Sequence, residues 1–430
     1  MNQNSRLTDH PDSGLASSYD YLADQSQIAG ATVGEHARAP LKSHRFPVQF
    51  HGTGGEYFRI WIVNLLLMIL TLGLYYPWAK VRKLRYFYSH TEVAGHPLDF
   101  HGNPRQMLRG FLLMTALLFV YGVAGNVSEL AGAIAGVILA LVWPALLRAS
   151  LQFRLAQTSW RGLRFSFRGS LKDAYLVFIV PILMLLVLGA ISAVALGALP
   201  KATEGRPLRG GEMALIGAVI TLLVVAMTAT APYLVWRLKS YQHSNYALGP
   251  WQTTFKASFG EVWRVFVKSS LVAGLGLLFV LALAGLMAWG ASSGASQGSS
   301  LAGLIKGLMT AGLPVLILGI VLLQTLYNAH LTASLQNLVW TRTGNRQIRF
   351  KSELSHWRLA GVMFKNLVLT GLTLGLYWPF AAVALARTKL EAMSVHTRQH
   401  PDDLVVRVQK TYKDAAGDMA ADLMGLDIGL

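Results

Sequence analysis

Hydrophobic residues are concentrated in eight blocks along the chain. They cover residues 60–79, 111–125, 130–147, 175–199, 213–235, 269–289, 307–329 and 364–383. Several blocks exceed the ~20 residues that a helix needs to cross the ~30 Å hydrocarbon core of a bilayer. Because lipid offers no hydrogen-bond partner to the backbone, such blocks are expected to be helical. The pattern predicts a polytopic α-helical membrane protein with six to eight membrane segments.

Four polar linkers separate these blocks, and each has the pattern of a β-hairpin. The linkers are residues 80–109, 148–174, 236–268 and 331–360. Each contains a short β-branched or aromatic run, a glycine turn, and a second run that carries Phe100, Phe167, Phe255 or Phe350. The order predicts internal repeats of helix, cytoplasmic β-hairpin and membrane helix pair.

The two ends of the repeated region extend this pattern. Residues 46–52 resemble the second strand of the first hairpin, at 97–102, and residues 396–408 predict one more hairpin. Isolated hairpins are marginally stable in water, so we expect them to pair into one sheet layer. The predicted organisation is a disordered polar tail over 1–45, a repeat-built membrane domain over 46–408 and a C-terminal tail over 409–430.

The first and last hydrophobic blocks are related to each other. Asn64, Thr71 and Gly73 recur at the same offsets as Asn366, Thr373 and Gly375. If the strands at both ends join the sheet layer, each block begins and ends on the same side. The hypothesis is then six spans plus two re-entrant helical hairpins that turn near residues 71–73 and 373–375. The alternative is eight plain spans.

Three stretches near the first block resemble a known family. They are GTGGEYFRIWIVNLLL at residues 52–67, TLGLYYPWAKVR at 71–82 and RYFY at 85–88. They are similar to the YjgN-like bacterial inner-membrane proteins, a family defined by a domain of unknown function. The resemblance covers about residues 46–405 and is most specific over 52–102. It implies a multi-pass location in the bacterial inner membrane and supplies no activity, substrate or catalytic residue.

Composition and charge agree with a membrane location. The chain is 53% hydrophobic and 14% charged, and its formal net charge is +17. The four linkers hold 22 of the 38 Lys and Arg residues. This is the distribution that the positive-inside rule gives, so the linkers are predicted to be cytoplasmic. Basic residues placed between membrane segments in this way argue against nucleic-acid binding.

Two asparagines are the candidate polar sites within the membrane. Asn64 and Asn366 lie deep in the first and last blocks, where a buried amide needs a partner. They either bond to each other or bind a solute or ion at a broken helix. Thr71, Gly73, Thr373 and Gly375 are the associated turn candidates.

The sequence offers little support for catalysis or metal binding. It has no cysteine, which excludes thiolate chemistry. His51, His90, His96 and His101 cluster near the first hairpin, but no metal-site motif accompanies them. The eight blocks hold almost no ionisable side chains, whereas coupled transporters usually need one. The prediction is no enzyme activity, no cofactor and no metal.

A basic cytoplasmic surface is the main candidate interaction site. Its members are Lys80, Arg82, Lys83, Arg85, Arg161, Arg164, Arg168, Arg346 and Arg349. Each basic residue near a membrane adds ~1 kcal/mol of attraction to anionic lipid. The leading function is a non-enzymatic membrane scaffold that binds anionic lipid headgroups or an acidic protein partner. The alternative is an uncoupled transporter or channel for a small solute.

Overall fold

The protein consists of helix pairs that alternate with short strands. A computed structural model describes residues 44–197, 209–293, 305–306, 308–398, 400, 402–403 and 405–406. The predicted tails over 1–45 and 409–430 lie outside the described residues, except that His44 and Arg45 belong to the first strand. In chain order the helices are α1 (Gly54–Leu70), α2 (Tyr76–Ser89), α3 (Pro104–Val127), α4 (Glu129–Ala156), α5 (Leu171–Gly197), α6 (Gly210–Ser244), α7 (Phe259–Ser293), α8 (Leu313–Thr341), α9 (His356–Leu372) and α10 (Trp378–Leu390).

Six of these helices, α3 to α8, are long and apolar enough to cross a membrane. They contain the described parts of the six central hydrophobic blocks, and a π-helical turn at Leu308–Gly312 precedes α8. Little of their surface is buried within the protein, as expected for helices whose other neighbour is lipid. A polytopic helical membrane protein with six membrane-length helices is thus confirmed.

The first and last hydrophobic blocks are each divided into two helices. Helix α1 is joined to α2 by a turn at residues 71–75, and α9 is joined to α10 by a turn at 373–377. Tyr57 of α1 stacks on Tyr86 of α2, with ring centroids 5.3 Å apart, so the two helices are antiparallel. A single straight span is excluded for both blocks.

Within the described residues, eleven strands form one antiparallel sheet. They are β1 (His44–Phe50), β2 (Thr91–Val93), β3 (His96–Phe100), β4 (Thr158–Trp160), β5 (Leu163–Phe167), β6 (Tyr246–Leu248), β7 (Trp251–Gln252), β8 (Thr254–Phe255), β9 (Thr343–Gly344), β10 (Ile348–Ser352) and β11 (Met393–Thr397). The spatial order is β7-β6-β5-β4-β3-β2-β1-β11-β10-β9-β8. Since only Thr253 separates β7 from β8, the two ends of the sheet meet in one stretch of chain. The strands therefore form a ring, which is closed at this point by the chain and not by a pairing of β7 with β8.

The helices are arranged in the same cyclic order as the strands. Each helix packs against its neighbours in the chain, and α10 packs against α1. Strand β1 pairs with β2 on one side and with β11 on the other, so the N-terminal strand completes the sheet beside the last helix pair. This closure brings α1, α2, α9 and α10 together.

The sheet has one apolar and one polar face because strand residues alternate between faces. The register of the strands places large apolar side chains of seven strands on one face, namely Val48, Leu98, Trp160, Phe165, Leu248, Phe350 and Val395. Helix ends pack against this face. Phe50 contacts Tyr57 and Tyr86, and Phe167 contacts Tyr241.

Two sequence predictions for this layer are wrong. The predicted hairpin over 396–408 is absent from its described residues, because β11 ends at Thr397 and residues 402–403 and 405–406 are helical. β11 pairs with β10 on one side and with β1 on the other, and periodicity in the sequence does not report the pairing with β1, more than 300 residues earlier. In the fourth linker, the run before the glycine turn was predicted as a strand, but residues 338–341 of that run continue helix α8.

Candidate functional site

The turn between α1 and α2 is built around Thr71. Its hydroxyl donates to the carbonyl O of Leu67 at 2.7 Å, and the same oxygen accepts from the N–H of Tyr75 at 3.0 Å. Gly73 has φ +89° and donates its N–H to the carbonyl O of Met68 at 2.8 Å. This bond, which joins residues five apart, is the 6→1 bond of a Schellman-type helix end. The turn thus satisfies its own backbone groups, which irregular backbone in a membrane requires.

The turn between α9 and α10 repeats this geometry. The Thr373 hydroxyl donates to the carbonyl O of Leu369 at 2.7 Å and accepts from the N–H of Tyr377 at 2.9 Å. Gly375 has φ +94° and donates to the carbonyl O of Thr370 at 2.8 Å. The sequence repeat therefore has a matching local structure.

The two buried asparagines do not bond to each other. Asn64 Oδ1 lies 3.5 Å from Arg82 Nη1, and Asn366 Nδ2 donates to the carbonyl O of Ala381 at 3.2 Å. The expectation that they pair is wrong, because each finds its partner within its own helix pair. Asn366 Oδ1 is buried and accepts no hydrogen bond from any described residue.

The two helix pairs lie side by side. The rings of Phe58 and Phe380 are 5.7 Å apart, and Arg387 Nη2 donates to the carbonyl O of Gly52 at 2.9 Å. Gly54 approaches Phe380 so closely that an added Cβ would lie 2.4 Å from Phe380 Cδ1. This contact fixes α10 against the start of α1.

A cavity of about 300 Å³ lies beside α1 and α2. Asn64 and Met68 line it from α1, and Lys80 and Lys83 line it from α2. The other lining residues are Tyr57, Trp61, Leu65, Tyr76, Ala79, Leu84 and Trp378. The Lys80 ammonium lies 5.6 Å from the centre of the Tyr76 ring. The cavity therefore combines two cations with an apolar and aromatic wall.

The predicted basic residues fall into three groups. Lys80, Arg82, Lys83 and Arg85 lie on α2, and all four are exposed. The Arg82 guanidinium is 5.7 Å from the centre of the Tyr75 ring. The structure brings only Lys80 and Lys83 together in the cavity.

The second group lies on the hairpin of β4 and β5. Arg161, in its turn, forms an ion pair with Asp402 at 2.6 Å. Arg168 donates to the carbonyl O of Gly249 at 2.7 Å. Arg164 is exposed on the polar face, opposite Ser159. Two of these three arginines therefore bind other parts of the chain.

The third group extends a row of cations across the sheet. Arg346 is exposed in the turn between β9 and β10. Arg349 lies opposite His396, which lies opposite Arg45. Glu353 is the acidic neighbour, with Oε2 3.8 Å from Arg45 Nη2 and Oε1 2.5 Å from Lys351 Nζ. The Lys351 ammonium holds the pKa of the Glu353 carboxyl below its usual value.

The histidines of the first hairpin have separate partners. His51 bonds to Glu92 at 3.1 Å, His101 to Ser159 at 2.8 Å, and His90 to the carbonyl O of Tyr86 at 2.8 Å. Among the described residues, no group of three or more His, Asp or Glu side chains is placed to hold a metal ion.

The hydroxyl contacts that join the start of α1 to α2 were not predicted from the sequence. The Tyr86 hydroxyl accepts from the N–H of Thr53 at 2.8 Å and lies 3.2 Å from Glu56 Oε2. Burial raises the pKa of Tyr86, and hydrogen bonds from Thr53 and Tyr86 lower the pKa of Glu56. Trp61 and Trp378 also went unnoticed. Both lie inside hydrophobic blocks, and because tryptophan is common in membrane segments near the interface, its sequence signal is weak.

Comparisons with known proteins agree with a membrane location. The model of a family described as "Bacterial protein of unknown function (DUF898)" matches residues 45–423. The Inner membrane protein YjgN of Escherichia coli K12 is 28% identical over 358 residues, which cover 80% of this chain and 86% of the relative. The protein of the same name from Salmonella typhimurium LT2 is 26% identical over 364 residues, with the same coverage of both chains. No solved structure matches.

Proposed function

The chain belongs to the DUF898 family of bacterial proteins of unknown function, and we propose that it is a non-enzymatic inner-membrane protein that binds anionic lipid headgroups. The headgroup lies in the cavity beside α1 and α2. The Lys80 and Lys83 ammonium groups neutralise the phosphate, and the acyl chains run along the exposed apolar surface of the neighbouring helices.

The proposal includes an orientation in the membrane. The basic sheet lies on the cytoplasmic side, because Lys and Arg are concentrated in the linkers that form it. Helices α3 to α8 then cross the bilayer, and the two shorter helix pairs enter and leave from the cytoplasmic side. Lys80 and Lys83 lie directly after the hydrophobic block 60–79, at the depth expected for headgroups.

One observation carries the proposal, namely the two lysines that line one cavity with Tyr76, Trp61 and Trp378. Tryptophan and tyrosine favour the membrane interface, and lysine binds phosphate as a point charge. Two basic residues at ~1 kcal/mol each correspond to about thirtyfold in affinity for an anionic lipid.

The test compares two charge-matched double variants by native mass spectrometry of the purified protein with phosphatidylglycerol and phosphatidylcholine. Lys80→Gln with Lys83→Gln removes the cations of the cavity. Arg164→Gln with Arg349→Gln removes two exposed cations of the sheet. We expect about thirtyfold weaker phosphatidylglycerol binding for the first variant alone. Equal loss in both variants, or loss in neither, would contradict the proposal.

A second candidate function is an uncoupled transporter or channel, and the buried Asn366 Oδ1 favours it. An acceptor with no donor in the described structure is costly unless water or a solute completes it. Swelling of proteoliposomes in glycerol tests this function. A transporter or channel should make proteoliposomes swell faster, and Asn366→Leu should abolish this effect. Gly371→Ala, in the same helix, is the matched control and should keep it. Swelling no faster than that of protein-free liposomes would rule out glycerol passage.

A further inference from the structure

A second cavity, of about 290 Å³, lies between the start of α5, the end of α6 and strand β7. Its charged residues are Asp173 and Arg237, and its polar residues include Ser240, Ser244 and Gln252. Its size lies at the lower end for ligand sites, which suits a small polar group.

The Arg237 guanidinium lies 5.7 Å from the centre of the Trp236 ring and keeps N–H donors that the described residues do not use. Its Nε is buried and has no hydrogen-bond partner among the described residues. Its Nη2 has a 3.4 Å contact with the carbonyl O of Leu176, which is long for a hydrogen bond. Guanidinium has five N–H donors in a planar fork that matches phosphate and carboxylate oxygens. Arg237 thus retains donors for an anionic group.

Asp173 supplies the opposite charge in the same cavity. Its Oδ2 accepts from the Ser170 hydroxyl at 2.7 Å, which fixes the carboxylate at the first turn of α5. Asp173 and Arg237 both line the cavity, yet they are not among the ion pairs of the described structure. Two opposite charges held apart in one cavity are complementary to a ligand that carries both charges.

The place of the cavity in the chain points to the membrane surface. Asp173 lies two residues before the hydrophobic block 175–199, and Arg237 lies two residues after the block 213–235. Both charges therefore stand where apolar helix gives way to polar linker, which is the depth of the lipid headgroups when these helices span.

We infer that this cavity binds a zwitterion that joins a phosphate to a primary ammonium group. Arg237 receives the phosphate and Asp173 receives the ammonium. Phosphatidylethanolamine has this headgroup, and free phosphoethanolamine has the same chemistry without the acyl chains. The site is separate from the cavity of Lys80 and Lys83 and does not depend on that proposal.

The test measures lipid binding to the full-length protein by native mass spectrometry with phosphatidylethanolamine and phosphatidylcholine. The quaternary ammonium of phosphatidylcholine has no N–H to donate to Asp173. The unchanged protein should prefer phosphatidylethanolamine about tenfold, the effect of one charge-assisted hydrogen bond. Equal binding of the two lipids by the unchanged protein would overturn the inference.

The variants separate the two charges. Asp173→Asn should lose the preference and Asp173→Glu should keep it, while Arg237→Gln should weaken the binding of both lipids. Lys172→Gln is the control, since Lys172 is an exposed neighbour outside the cavity. Unchanged binding in folded Asp173→Asn and Arg237→Gln proteins would also overturn the inference.

A competition arm identifies the source of the zwitterion. Displacement of the lipid by millimolar free phosphoethanolamine assigns the site to a soluble zwitterion. Retention of the lipid under the same conditions assigns it to a lipid headgroup. Both outcomes agree with binding of a zwitterion that carries a phosphate and a primary ammonium group, and the Asp173 and Arg237 variants test that binding.

Discussion

Arg82 Nη1 lies 3.5 Å from Asn64 Oδ1, and this contact joins the middle of α1 to α2. Asn366 lies 302 residues after Asn64, and the same offset from Arg82 leads to Ala384 in the second helix pair. Alanine has no donor to offer, which is why Asn366 Oδ1 is left without a partner. Two helix pairs of similar geometry therefore differ in the polarity of their interior.

The Arg82 contact gives a stability prediction. Arg82→Gln removes the long contact of the buried Asn64 Oδ1. The free energy of unfolding should fall by about 1 kcal/mol, which is near the lower end of the cost of a buried acceptor without a donor. Thermal unfolding in detergent measures the change. Arg85→Gln is the control because Arg85 is exposed on the same helix, and it should unfold like the unchanged protein. An equal effect of both substitutions would assign it to net charge.

The contact between Gly54 and Phe380 predicts a difference between neighbouring glycines. Gly54→Ala places a Cβ 2.4 Å from Phe380 Cδ1, whereas a Cβ at Gly55 meets nothing within 4 Å. Overpacking of this kind costs about 1–3 kcal/mol, so Gly54→Ala should lower the unfolding temperature. Gly55→Ala should leave it unchanged or raise it, since alanine favours a helix. Similar behaviour of the two variants would mean that α10 does not pack on α1 in this way.

The turn at Gly73 predicts a backbone effect. Gly73 has φ +89° with open space around it, so Gly73→Ala adds no clash and its cost comes from the left-handed backbone alone. That cost is about 1–2 kcal/mol. Gly371→Ala, within helix α9 and also in open space, should be neutral or stabilising. The two thermal unfolding curves distinguish the cases, and a neutral Gly73→Ala would place Gly73 in ordinary helix.

The ion pair between Arg161 and Asp402 predicts a pH dependence at the C-terminal end of the described chain. Arg161 holds the pKa of the Asp402 carboxyl below its usual value, so the pair is present at neutral pH. It is lost as pH falls through that lowered pKa. Val405, buried against Trp160 and Leu163, should then become accessible.

The chain has no native cysteine, so Val405→Cys reports this release directly. Its rate of thiol labelling, divided by the rate of the unfolded chain at the same pH, should be low at neutral pH and rise in acid. Adding Asp402→Asn should raise the rate at neutral pH. A rate that Asp402→Asn leaves unchanged would show that Val405 packs without help from the ion pair.

Local patterns in the sequence predicted much of the fold. The helices α3 to α8 follow from hydrophobic blocks, and the turns at Gly73 and Gly375 follow from their repeated neighbours. The closure of the sheet did not follow, because β1 and β11 are more than 300 residues apart and residues 396–408 were expected to form a hairpin of their own. The cavity of Asp173 and Arg237 was also missed. These residues lie in different linkers, and only packing of α5 on α6 brings them together.

The most direct test of the account is the sidedness of the chain on either side of the first helix pair. Gln49→Cys places an exposed thiol in β1, before α1, and Ser89→Cys places one at the last residue of α2. Asn126→Cys places one in the last turn of α3, next to the link to α4. We expect a membrane-impermeant maleimide to label Asn126→Cys in intact spheroplasts. The thiols at positions 49 and 89 should be labelled only after permeabilisation. Labelling of positions 49 and 89 from opposite sides would contradict the account.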